Sequence, residues 1–110
     1  MEDLLIQNIL IGAILMTVGI ISRTFPPKKP NSFYGYRTKR SMKTRSSWKI
    51  ANEYFSGGII MLSAASILIG LFTTIIVAKY SSAITIIATI GLLIGLFYKT
   101  EELLKGKEEN

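Results

Sequence analysis

The sequence contains no cysteine and no histidine. Those two absences remove disulfides, Cys/His metal sites, thiol nucleophiles and the general base best suited to neutral pH. Proline is scarce, and Pro26, Pro27 and Pro30 all fall within Arg23–Pro30. Acidic and basic side chains are missing altogether from three long runs, Leu4–Ser22, Ser56–Ala78 and Ala83–Tyr98. A mean hydropathy of +0.40 is too apolar for a soluble domain of this size, which could not cover that much grease with its own surface.

Each uncharged run has the length of a membrane span. At 1.5 Å per residue Leu4–Ser22 reaches roughly 28 Å, close to the ~30 Å hydrocarbon core. A cleaved secretory leader would want a positive start and a shorter apolar core. Here the start is Glu2-Asp3 and the run ends in Arg23-Thr24-Phe25-Pro26, so a retained helix is expected. Gln7 and Asn8 are placed near the outer end, where water or headgroups satisfy them.

The chain therefore reads as an all-α membrane protein forming one integral domain over residues 1–110. Its spans are about 4–22, 56–78 and 81–98, the second and third forming a helical hairpin across the Lys79–Ser82 break. Gly91 and Gly95 make a GxxxG, and Ser66 with Gly70 repeats the small-xxx-small spacing, so both pairs are expected to let helices approach closely. The tail 99–110 is expected to fray.

What remains is the loop 23–55. The prolines stop the first helix near Thr24. Phe33-Tyr34-Gly35-Tyr36-Arg37-Thr38 suggests a turn around Gly35. From about Thr44, Trp48, Ala51, Phe55 and Ile59 recur at helical spacing behind Ser and Thr residues able to cap a helix. A short interfacial amphipathic helix leading into the second span is expected, with Trp48, Tyr54 and Phe55 at headgroup level.

Charge sets the orientation. Nine of the thirteen Lys and Arg residues lie in Arg23–Lys49, giving loop 23–55 a net charge of +8. By the positive-inside rule the loop and tail are cytoplasmic and the N-terminus is outside. Attraction to anionic headgroups, about 1 kcal/mol per basic residue, would hold such a loop to the membrane surface. Arg37, beside Gly35, could fork onto a phosphate or carboxylate. A loop leashed at both ends is poorly placed for nucleic acid, and none is expected.

No span carries a carboxylate, so proton-relay and ion-coupling sites are not expected. The acids are marginal: Glu53 is explained by pairing with Lys49, and Glu101 belongs to the tail. Neither a catalytic residue, a cofactor nor a metal is expected, and the chain reads as a non-enzyme.

Pro30-Asn31, Gly35-Tyr36-Arg37-Thr38, Ser41-Met42-Lys43, Trp48, Ala51-Asn52 and Gly57 together resemble the signature of the SdpI family of bacterial multi-pass membrane proteins. The resemblance covers roughly residues 30–60. It implies a bacterial plasma-membrane protein, with Gly35, Arg37, Thr38, Trp48 and Asn52 as motif residues. Gly35 would shape the turn, Arg37 bind an anionic group, Thr38 brace it, Trp48 seat the interfacial helix and Asn52 tie that helix to the turn. The family is named after a member that protects its producer from a secreted peptide toxin and takes part in signalling to a cytosolic repressor. A peptide toxin, a cytosolic regulatory protein and membrane lipids are thus the implied partners, with room for an oligomer. Two departures stand out: Arg45-Ser46-Ser47 precedes the tryptophan where family members often carry acids, and the additional spans of longer members are missing. The competing readings are a small oligomeric exporter, although four spans and a membrane glutamate would be expected of it, and a holin-like pore former.

Overall fold

A computed structural model of the chain describes residues 2–31 and 33–109, with the side chains of Glu108 and Glu109 left aside. Ser32, inside the expected loop, and Asn110, at the end of the expected tail, lie outside the described residues. Among the described residues all regular secondary structure is helical. It comprises α1 (Glu2–Thr24), α2 (Arg45–Ile76), a single 3-10 turn (Ala78–Tyr80) and α3 (Ser81–Glu109). Each of the three long helices is apolar enough to cross a membrane.

Thr44 starts α2 through a capping box: its side chain accepts from the Ser47 N–H, and the Ser47 side chain accepts from the Thr44 N–H. The 32-residue α2 then runs without a break to Ile76. The short helix expected to lead into the second span forms the opening turns of this one helix. A three-four hydrophobic spacing has the same form in a separate surface helix and in an extension of a span, so periodicity could not separate them. Nor does the charged tail stand apart, because α3 continues through it to Glu109.

α2 is the central element, and its buried residues recur from Trp48 to Thr74. Small residues set its contacts. A Cβ on Gly12 would lie 2.7 Å from the Ile67 side chain, and one on Gly70 would lie 2.5 Å from the Asn8 carbonyl oxygen. Across the other face, Gly58 receives Leu96, and the Ser66 and Thr89 hydroxyls meet at 2.7 Å. The expected Ser66/Gly70 approach is thus made, but to two different helices. Gly91 and Gly95 make none within the described chain, since nothing lies within 4 Å of either position. Chance GxxxG patterns are common in apolar sequence, and α3 turns a different face to α2.

Asn8 is buried rather than solvated. Its Nδ2 donates to the Thr74 hydroxyl at 2.7 Å and to the Ser81 hydroxyl at 2.8 Å, and its Oδ1 accepts from Ser82 at 2.7 Å. One side chain therefore joins α1, α2 and the start of α3. Interhelical hydrogen bonds in lipid contribute about 0.6–1.7 kcal/mol. Asn8→Ala, which removes three of them, is expected to destabilise the bundle by about 1–2 kcal/mol. Steric-trap or SDS unfolding in bicelles would measure the loss; a value near zero would mean that the hub carries no tertiary stability.

This geometry fixes relative sidedness. Asn8 and the 77–80 turn share one end of the bundle, while loop 25–44 and the last turns of α3 share the other.

Candidate functional site

Residues 25–31 and 33–44 fold back against all three helices as a cap. Its first anchor is at the end of α1, where the Tyr34 hydroxyl donates to the Phe25 carbonyl at 2.5 Å. Asn31 turns the chain: its Oδ1 accepts from the N–H groups of Phe33 and Tyr34 at 2.9 and 2.8 Å. Pro27 then meets α2, its carbonyl accepting from Trp48 Nε1 at 2.8 Å.

Gly35 has φ +105°, a conformation that side chains rarely adopt. A Cβ there would lie 2.6 Å from Asn52 Oδ1 and 2.7 Å from Pro27 Cγ. Backbone strain and steric conflict act together, so Gly35→Ala is expected to cost about 2 kcal/mol. The loss should appear as faster tryptic cleavage of the loop, and an unchanged cleavage rate would contradict it.

Past this turn, the Tyr36 N–H donates to Asn52 Oδ1 at 2.6 Å, and Asn52 Nδ2 donates back along α2 to the Trp48 carbonyl at 2.9 Å. Asn52 thereby ties helix to turn. Tyr36 is buried against Ala51 and Leu104, its ring centroid 4.6 Å from that of Phe55. Thr38 and Ser41 lock the next turn reciprocally: the Thr38 N–H donates to Ser41 Oγ at 2.8 Å, and the Ser41 N–H donates to Thr38 Oγ1 at 3.1 Å.

The cap reaches α3 through Glu101. The Tyr36 and Thr38 hydroxyls donate to Glu101 Oε2 at 2.6 and 2.9 Å, and Arg40 Nη1 lies 3.5 Å from Oε1. Burial first, and then the bond to Glu101 and its negative charge, push the Tyr36 phenol pKa above its ordinary 10.0. Glu101 is thus the acid the cap is built around, not a residue of a loose tail. Nothing local to it in the sequence announces this, because its partners lie more than sixty positions away. The expected Lys49–Glu53 ion pair does not form among the described residues. Glu53 instead offers its backbone carbonyl to Arg23 Nη1 at 2.9 Å.

The five motif residues divide into two groups. Gly35, Thr38, Trp48 and Asn52 are buried or partly buried framework, whereas Arg37 alone among them is exposed. The Trp48 ring is wholly enclosed beneath the cap, where Pro27 supplies an acceptor for its N–H. Thr38 braces Glu101 and Ser41. Among the described residues no cluster of acids could hold a metal ion.

Three apolar helices crossed by buried hydroxyl and amide bonds, with a basic cap closing one end, define a multi-pass membrane protein. The SdpI/YfhL protein family model matches residues 28–99, more than half of the chain. The chain belongs to this family. It is similar to "Uncharacterized protein YfhL" of Bacillus subtilis (strain 168), with 46% identity over 52 residues. That stretch covers 47% of this chain and 46% of the relative, so the match spans about half the length of each. No solved structure matches.

Proposed function

We propose that the protein acts at the bacterial plasma membrane as an immunity or signalling component rather than an enzyme. The loop and C-terminus face the cytoplasm, and the cap contacts lipid headgroups or a cytosolic protein. The observation that carries the reading is the exposure of Arg37 on an interlocked cap. An exposed guanidinium carried on a rigid frame presents a fork that matches a carboxylate or phosphate. Family membership supports the setting, and the excess of basic residues in the loop supports the orientation.

The test is expression in a bacterium sensitive to a secreted peptide toxin. Wild-type protein is expected to raise survival under toxin challenge. Arg37→Ala is expected to abolish protection at unchanged expression, and Arg37→Lys to restore part of it. Protection that persists in Arg37→Ala would remove the residue from the mechanism. Growth arrest or leakage on expression alone would favour pore formation instead.

A further inference from the structure

The turn after Arg37 is strongly basic. Lys39, Arg40 and Lys43 sit on it, and it is rigid: the Thr38–Ser41 lock is joined by the Met42 N–H to Thr38 carbonyl bond at 3.0 Å and the Lys43 N–H to Arg40 carbonyl bond at 3.3 Å. Ser41, at its centre, is completely buried. Lys39 and Lys43 are both exposed.

A groove of about 510 Å³ opens here, lined by Lys39, Arg40, Lys43 and Glu101. Its lining is three basic side chains and one carboxylate, which accepts from the Tyr36 and Thr38 hydroxyls and lies 3.5 Å from Arg40. Nor does α2 add an acid: its first turn has none, and its N-terminus adds further positive potential. Lys43 also lines a neighbouring hollow with Lys107, so the basic surface continues along α3.

Depth selects the occupant. Glu101 lies three residues beyond Tyr98, where the charge-free run of α3 ends, a rise of about 4.5 Å. That places the groove at the level of lipid phosphates. We infer that Lys39, Arg40 and Lys43 form a headgroup site for an anionic phospholipid, recognised through its phosphodiester. This deepens the headgroup contact proposed above and rests on it.

The full chain in neutral detergent, titrated with dioctanoyl phosphatidylglycerol or dioctanoyl phosphatidylcholine and read by native mass spectrometry, tests the inference. The wild type should prefer the anionic lipid. Lys39→Gln/Lys43→Gln should raise its Kd about tenfold, while Lys28→Gln/Lys29→Gln, with the same change in charge, should raise it less than about twofold. Lys39→Arg/Lys43→Arg should retain binding, and an unchanged near-ultraviolet signal from Trp48 would show that each cap is intact. Equal losses in the two glutamine variants would overturn the groove and leave a diffuse basic field. No loss in either, or no preference in the wild type, would overturn the headgroup contact itself. Displacement of the lipid by millimolar inorganic phosphate would overturn the lipid assignment in favour of a soluble anion.

Discussion

Trp48→Ala is expected to cost about 3–5 kcal/mol, the range for emptying a buried aromatic site. The ring is fully enclosed, and its N–H holds the Pro27 carbonyl, so the substitution opens a cavity and leaves an acceptor without its donor. Trp48→Phe keeps most of the packing and should cost about 1–2 kcal/mol, mainly the lost hydrogen bond. Limited trypsinolysis of the basic loop provides the readout, since cleavage requires the cap to open. Equal rates for wild type and Trp48→Ala would show that the cap does not depend on this side chain. Loss of toxin protection in Trp48→Ala would therefore report a broken cap and would not place the tryptophan at a contact surface.

Glu101→Ala is the second large effect. It removes the shared acceptor of the Tyr36 and Thr38 hydroxyls together with the ion pair to Arg40. Hydrogen bonds to charged groups contribute about 1.5–3 kcal/mol each, and with partial solvation a loss of about 3 kcal/mol is expected. Tryptic cleavage within 37–43 should then accelerate roughly a hundredfold. A rate within threefold of wild type would contradict the role given to Glu101.

The same contact has a pH signature. Because the folded phenol of Tyr36 holds its proton to a pKa above the ordinary 10.0, the folded state binds more protons than the unfolded state over that interval. The contribution is complete below pH 10.0 and is lost as pH rises through the folded pKa. In Glu101→Gln the phenol should titrate lower but remain raised, since burial is the larger cause. The ultraviolet difference between this variant and its Tyr36→Phe derivative would isolate the transition.

Much of this architecture was legible from the residues alone. Charge-free runs announce spans because a buried unpaired charge is costly in lipid, and Thr44, Gly35 and Asn52 carry local chemistry that limits what they can do. The cap residues Asn31 to Ser41 contact each other within a few positions, which is where turn chemistry speaks most clearly. The roles of Asn8 and Glu101 are hidden in the sequence for the opposite reason. Each reads from its neighbours as terminal and solvated, and each is pinned by partners more than sixty residues away. The enclosure of Trp48 depends likewise on where Pro27 comes to rest, which no helical spacing encodes.

The two polar clusters also fix a length. Asn52 and Thr74 on α2 are twenty-two residues apart, about 33 Å of helix, and they anchor the cap at one end and the Asn8 hub at the other. That separation is close to the ~30 Å thickness of the acyl region. The molecule is in effect a ruler with hydrogen-bonded stops at both marks. A bilayer much thicker than this draws one stop in among the acyl chains, and a thinner one bares apolar helix to water, so bilayer thickness bears directly on how firmly the cap is seated.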